Sequence, residues 1–166
     1  VIEAKWLFHL KPEQIEVVVH PQSIIHSLVQ FEDSSIKAQL GLPDMRLPIQ
    51  FAMTYPARFK CDFPRFNFAQ YPSLTFEQPD TKTFRNLALA FQALEKGGNA
   101  PCVLNAANEI AVAAFLKDEI GFLEMSYLVE QCLNEMSYIN EPRFEDYVET
   151  DAATRRKATE IIKNQK

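Results

Sequence analysis

Proline restricts this chain more than any other residue. Pro56, Pro64, Pro72 and Pro79 fall every seven or eight positions, and each fixes φ and removes a backbone donor. Neither helix nor strand persists between breakers at that spacing, so residues 55–80 are expected to form an irregular connector. Its apolar content, with Phe59, Phe63, Phe66, Phe68, Tyr71, Leu74 and Phe76, is too sticky for a flexible linker. The connector should therefore lie packed along the domains it joins.

The connector divides two textures. Residues 1–54 are mixed. Val1 to Phe8 reads as helix, stopping near Lys11-Pro12 because proline disfavours helical geometry in the residue before it. Neither an initiator Met nor a Ser, Thr, Asp or Asn stands ahead of the first turn, so the chain is expected to begin inside a helix, as a piece cut from a longer protein. The β-branched content of Ile15 to Val19 predicts a strand. Ile25, Ser27, Val29 and Phe31 then alternate with His26, Leu28, Gln30 and Glu32. Asp33-Ser34-Ser35 turns the chain, and Ile36, Ala38 and Leu40 return toward Gly41. That is a hairpin.

Residues 81–166 carry helical spacing. Phe84, Leu87, Phe91 and Leu94 lead to a stop at Gly97-Gly98, and Asn99-Ala100-Pro101 opens a second helix with Val103, Ala107, Ile110 and Ala114 on one face. Leu128, Cys132 and Met136, widened by Leu133, mark a third helix, and Ala158, Ile161 and Ile162 a fourth between Asp151 and Lys163. Short connections favour an antiparallel bundle. The expected fold class is α+β: a partial sheet-and-helix domain, the connector, then a four-helix bundle.

Charge and cysteine usage narrow the function classes. A net charge of -5 and a pI near 5.3 argue against a nucleic-acid footprint, which needs clustered cations. Arg155, Arg156, Lys157, Lys163 and Lys166 read as a solvated face of the terminal helix. No apolar run suffices to cross a bilayer, so no membrane partner is expected. Cys61, Cys102 and Cys132 are odd in number and lack CxxC spacing, which suits a reducing, cytoplasmic setting.

Few residues invite chemistry. Glu3 has no second acid at i±3 or i±4, so a metal role needs ligands from elsewhere, and a solvated or salt-bridged carboxylate is the plainer reading. His20 and His26 bracket a proline turn; they fit a metal site, an acid–base pair or two structural histidines. Gly41-Leu42-Pro43-Asp44-Met45-Arg46-Leu47-Pro48 marks a strand-to-helix junction. It is either a ligand site or a place where Asp44 caps the next helix and Pro48 enters its first turn. Asn105 and Asn108, one turn apart, suit hydrogen bonds to a neighbouring loop. With four glycines and no phosphate loop, GxSxG elbow or HExxH pair, the residues by themselves imply no reaction.

Several of these segments resemble a known family. Val1 to Leu10, Glu16-Val17-Val18-Val19-His20-Pro21-Gln22-Ser23-Ile24-Ile25-His26-Ser27, Ala38-Gln39-Leu40-Gly41 and Pro43-Asp44-Met45-Arg46 are similar to the latter half of the catalytic domain of 1-deoxy-D-xylulose-5-phosphate reductoisomerases. Leu104-Asn105-Ala106-Ala107-Asn108-Glu109 and Val112 to Leu116 resemble that family's C-terminal helical domain. The resemblance implies a homodimer, paired through catalytic-domain strands, that rearranges a sugar phosphate and reduces it with NADPH. A Mg, Mn or Co ion serves as Lewis acid in that chemistry. It implies isoprenoid synthesis by the non-mevalonate route and divides the chain into residues 1–54, the end of the catalytic domain, 55–80 and 81–166.

Carried onto this sequence, the resemblance makes His26 an active-site positioning residue and places Pro43 and Met45 against the nicotinamide. Glu3 becomes an outer neighbour of the metal, whose direct ligands lie upstream. Ser34 stands where the family often has glycine, which leaves the turn type open. The chain alone is expected to bind neither cofactor and to show no turnover. Two other readings remain: a non-catalytic interaction or dimerisation module whose hairpin edge pairs with a partner, and a metal hydrolase using His20 and His26.

Overall fold

The computed structural model describes residues 1–164. They form six α-helices and one two-stranded sheet, in the order α1 (Ile2–Phe8), β1 (Ile25–Gln30), β2 (Ile36–Leu40), α2 (Arg46–Thr54), α3 (Arg85–Lys96), α4 (Ala100–Phe115), α5 (Phe122–Glu135) and α6 (Phe144–Asn164). The α+β class follows. The chain separates into two compact units, one comprising Val1–Val17 with Asp80–Lys166 and the other Val18–Pro79. This division differs from the three textures of the sequence in assigning the opening helix to the bundle's unit.

In that unit α3, α4, α5 and α6 pack around Leu89, Val103, Ala107, Ala111, Ala114, Leu128, Val129, Cys132 and Ala158. The alanines of α4 let its neighbours approach closely, and the longer side chains of α3, α5 and α6 fill the space between. Burial pushes the Cys132 thiol up to about 11, which leaves it protonated at neutral pH and inert. The Phe84 stripe is only partly realised. Leu94 is buried, but the core line of α3 runs through Leu89 and Ala93, and Phe84 precedes the helix and is exposed. Helix α6 starts two turns before the expected Asp151, because the Asp146 carboxylate accepts the Arg143 N–H at 2.8 Å within a polar stretch.

The glycine stop behaves as expected. Gly97 has φ 67° and ψ -149°, a region essentially closed to residues with a side chain. Gly98 has φ 54°, and a Cβ there would clash with the Ile139 carbonyl oxygen.

Helix α1 ends before Lys11-Pro12. His9 is left-handed at φ 53°, and the Leu10 N–H donates to the Lys5 carbonyl at 3.1 Å. The strand expected at Ile15–Val19 does not form. Only Val19 pairs, in an isolated bridge with Glu77 through two 2.9 Å bonds. β-branched residues favour extended backbone, but a strand needs a neighbour, and among the described residues none pairs with 15–18.

The other unit contains the hairpin. β1 and β2 are antiparallel, with Leu28 opposite Ala38 and Gln30 opposite Ile36. Their turn uses Ser34 at φ 68°. The Ser34 N–H donates to Phe31 O and the Phe31 N–H to Ser35 O, both at 2.9 Å. Asp33 accepts from the Ser35 backbone and hydroxyl at 2.9 and 2.6 Å, bonds that hold its carboxyl below the usual range. Beyond α2, residues 55–79 contain no helix or strand, as the prolines require. Their aromatics pack partly on one another: Phe66 meets Phe68 edge-on at 4.8 Å and stacks on Tyr71 at 5.3 Å.

Candidate functional site

The hairpin alternation fails at one place, and that place is His26. Ile25 pairs with Leu40 and Ser27 with Gln39, so two residues of β1 stand against one step of β2. Such a bulge re-aims the side chain of the extra residue. His26 Nε2 lies 3.2 Å from the Gly41 carbonyl oxygen. Because a carbonyl only accepts, Nε2 is the donor in this contact. The ring thereby pins the start of the Gly41–Met45 loop.

That loop leads straight into α2 through an Asp44–Arg46 clamp. Asp44 Oδ1 accepts the Arg46 backbone N–H at 2.9 Å, and the guanidinium adds Nε and Nη2 bonds at 3.0 and 2.6 Å. Arg46 holds the Asp44 carboxyl below the ordinary carboxylate range, chiefly through these side-chain bonds. The N-cap of α2 is Met45, and Asp44 stands one residue ahead of it, its carboxylate accepting the N–H of Arg46 at the start of the helix, with Pro48 in the first turn. The ligand-site reading of the same junction finds its geometry as well. A cavity of about 590 Å³ opens here, lined by His26, Gly41, Pro43, Met45, Phe51 and Arg58 among others. Its volume falls within the range of small-molecule and cofactor sites, and its wall is mostly apolar with a few polar groups. Met45 is 72% exposed, so its thioether presents an adaptable apolar surface to whatever enters.

Three of the residues singled out in the sequence, His26, Pro43 and Met45, thus share one cavity. Glu3 is an exposed residue in the first turn of α1 and belongs to the other compact unit. Among the described residues no group of three or more His, Cys, Asp or Glu is placed to hold a metal ion. His20 is used structurally. Its Nδ1 lies 2.8 Å from Thr75 O, and its ring stacks on Phe76 at 4.8 Å. Gln22 flanks it, donating to Thr75 Oγ1 at 2.8 Å and accepting from the Thr75 N–H at 3.2 Å. Together they tie the proline-rich segment to the turn before β1.

The amides of α4 depart from expectation. Asn105 bonds within its own helix, to Glu109 at 3.1 Å, and Glu109 pairs with Arg155 of α6 at 2.7 Å. The loop is held by Asn99 instead. This buried amide donates to Ser137 O at 3.0 Å and Thr150 Oγ1 at 3.2 Å, and accepts from the Ile139 N–H at 3.0 Å. Its sequence signal is a place between the Gly97-Gly98 stop and the opening of the next helix at Ala100-Pro101, where backbone groups need partners. Arg58, a single arginine two residues after Pro56, carries no sequence pattern either.

Residues 40–157 match the family model described as the DXP reductoisomerase C-terminal domain. A 1-deoxy-D-xylulose 5-phosphate reductoisomerase of Phocaeicola vulgatus is 64% identical over 162 residues, covering 98% of this chain and 42% of that protein. One of Porphyromonas gingivalis is 54% identical over the same shares. A solved reductoisomerase from Zymomonas mobilis in complex with NADPH superposes with a TM-score of 0.88 at 42% identity, over 97% of this chain and 43% of that one. A DOX-P reductoisomerase in complex with NADPH, fosmidomycin and magnesium gives 0.90 at 41% identity, over 98% and 42%. The chain spans about 42% of the length of the curated relatives it matches. On the match of the family model, it belongs to the DXP reductoisomerase C-terminal domain family.

Proposed function

We propose that this chain supplies the nicotinamide wall of an NADPH- and divalent-metal-dependent reductoisomerase that converts 1-deoxy-D-xylulose 5-phosphate to 2-C-methyl-D-erythritol 4-phosphate in the non-mevalonate route. The observation that carries the reading is the convergence of His26, Pro43 and Met45 on one largely apolar cavity. Its size and lining fit a flat, uncharged ring end of a cofactor. When bound, NADPH supplies a hydride to the substrate carbon. The chain's own part is to orient and to exclude water. Pro43 and Met45 form the apolar surface, the Asp44–Arg46 pair fixes the loop to α2, and His26 holds Gly41 by its Nε2–H.

The residues described here do not fit the metal. Glu3 is a single carboxylate with no companion ligands, and its proposed place is beside an ion held by other residues, where it tunes the field. The proposed setting is the cytoplasm.

A Met45→Asp variant of the full-length protein tests the nicotinamide wall. NADPH oxidation at 340 nm with deoxyxylulose phosphate should show a KM for NADPH raised at least about tenfold, the cost of setting a carboxylate against the ring. An unchanged KM would remove Met45 from the site, and no turnover by the unmodified full-length protein would sink the reaction. The 166-residue chain alone should oxidise no NADPH.

A second reading, dimerisation, rests on the hairpin. β1 pairs only with β2 among the described residues, and Leu28, Val29, Phe31 and Ile36 are exposed. Open edges with apolar side chains favour strand pairing between copies. We propose a homodimer through these strands. Light scattering should report twice the monomer mass, and an edge-blocking Val29→Pro variant should return it to one.

A further inference from the structure

The loop that carries Pro43 and Met45 is held at both ends. On the helix side the Asp44–Arg46 pair joins it to α2. On the strand side both backbone groups of Gly41 are engaged: its N–H donates to Ile24 O at 3.0 Å, and its carbonyl accepts from His26 Nε2 at 3.2 Å. Residues 24–26 therefore set where the loop begins. Ile24 is buried, but Ser23 before it is left-handed at φ 51°, a conformation that a residue with a Cβ keeps only where its surroundings impose it. Ser23 also lines the cavity.

The contacts that impose it come from the proline-rich segment. Val19 and Glu77 exchange two backbone bonds at 2.9 Å, and His20 Nδ1 donates to Thr75 O at 2.8 Å. Among the described residues the buried Nε2 of His20 has no partner, so the ring's polar bonding goes to this seam alone. Gln22, directly before Ser23, grips Thr75 twice. Its Nε2 donates to Thr75 Oγ1 at 2.8 Å, and its Oε1 accepts the Thr75 N–H at 3.2 Å. Two bonds from one planar amide fix its orientation as well as its distance, which a single contact would not do.

We propose that Gln22, acting through Thr75, is a positioning residue for the nicotinamide wall. It fixes the Ser23 turn, the turn fixes Ile24 and Gly41, and Gly41 sets the seat of Pro43 and Met45. The proposal rests on the reductoisomerase reading for the ligand and extends its site to the proline-rich segment. Gln22 itself touches no ligand in this scheme, so its loss should loosen the cofactor's seat and leave the reacting groups in place.

The test compares Gln22→Ala, Gln22→Glu and Thr75→Val in the full-length protein. Glutamate can keep both links, because one carboxylate oxygen accepts the Thr75 N–H and the Thr75 hydroxyl turns to donate to the other; alanine keeps neither. Hydrogen exchange over Gly41–Met45 should be about fivefold faster in Gln22→Ala, close to the unmodified rate in Gln22→Glu and intermediate in Thr75→Val, with α4 and α5 unchanged. The alanine variant should raise the KM for NADPH about fivefold, with kcat and the KM for deoxyxylulose phosphate within about twofold, and glutamate should restore it. In a Met45→Ala background Gln22→Ala should raise that KM by less than about twofold, since part of the wall it positions is already gone. Equal rises in both KM values, an unchanged KM for NADPH, no restoration by glutamate, or full additivity with Met45→Ala would overturn the positioning role. Loop exchange and NADPH affinity that depend on Gln22 in a protein without turnover keep this residue and reject the reaction; turnover with both insensitive to Gln22 does the reverse.

Discussion

The two compact units hold themselves together by different means. The bundle unit has a contiguous interior running from Leu89 on α3 through the alanines of α4 to Ile161 and Ile162 on α6. In residues 18–79 the only buried hydrophobic side chain is Ile24, at 1% exposure. Burying a Leu- or Ile-sized side chain contributes roughly 1.5–3 kcal/mol, and a two-stranded hairpin alone is marginal. The cavity-bearing unit is therefore ordered chiefly by polar clamps: Asp33 on Ser35, His26 on Gly41, Asp44 on Arg46, and Gln22 with His20 on Thr75. Segments that bind ligands tend to come from the low-stability end of a structure. Here the apolar faces of β1 and β2 are left for other surfaces to cover.

The sharpest way to break this contrast is to truncate one leucine in each unit. Leu128 is 1% exposed at the centre of the bundle, so Leu128→Ala should cost about 3 kcal/mol through lost burial and the cavity left behind. Leu28 is 44% exposed on β1, and Leu28→Ala should cost under about 0.5 kcal/mol in the monomer, as surface changes do. Urea unfolding followed by circular dichroism at 222 nm measures both. Equal costs would show that the hairpin has a core the structure does not display.

Asn99→Ala comes next. It strands the Ile139 N–H and the Ser137 carbonyl at the α3–α4 junction, and unpaired groups at a partly buried position should cost about 2 kcal/mol. The loss should fall on the same helical transition as that of Leu128→Ala and leave hairpin amides exchanging as before. A smaller effect is expected from acid. Arg155 lowers the Glu109 carboxyl and Arg85 lowers that of Glu130, both mainly by side-chain hydrogen bonds. A carboxyl depressed in the folded state stabilises above its unfolded pKa and loses that contribution as pH falls through the folded value. The bundle Tm should thus hold from pH 7 down to the ordinary carboxylate range, about 4, and decline below it. Both pairs are exposed, so the drop should shrink in high salt.

Where a feature follows from local pattern, these elements could be read before the fold was known. The strict alternation around Val29 and the turn residues Asp33-Ser34-Ser35 defined the hairpin, and helical spacing with Gly97-Gly98 defined the bundle and its first stop. Features that depend on a distant partner could not be read. The bulge at His26 is a mismatch between two strands, visible only when β2 is laid beside β1. Ile15 to Val19 has the composition of a strand, but among the described residues only Val19 finds a partner, in the bridge to Glu77. Asn99 works because residues 137–150 return to it, a separation no local window spans. Of the cavity, His26 and the Pro43–Met45 junction stand out in the sequence as candidate sites, with their roles implied by the family likeness, whereas Arg58 is drawn in by the turn that follows α2.

The smallest predicted effect tests the hairpin directly. Ser34 sits at φ 68°, and a left-handed residue with a Cβ costs roughly 1–2 kcal/mol more than glycine does there. Glycine gives back part of that difference, since it has more backbone freedom to lose, roughly 0.5–1 kcal/mol. Ser34→Gly should therefore stabilise the turn by about 0.5 kcal/mol, slowing exchange of the β1–β2 ladder amides about twofold. The urea midpoint of the helical transition should not move, because the gain lies in the unit that lacks the bundle core. Asp33 keeps its bond to the Ser35 hydroxyl in the variant, so the change isolates backbone strain from turn hydrogen bonding. Faster exchange on replacing Ser34 would mean that its side chain supports the turn by some contact of its own, and that the left-handed backbone is not where the hairpin stores its strain.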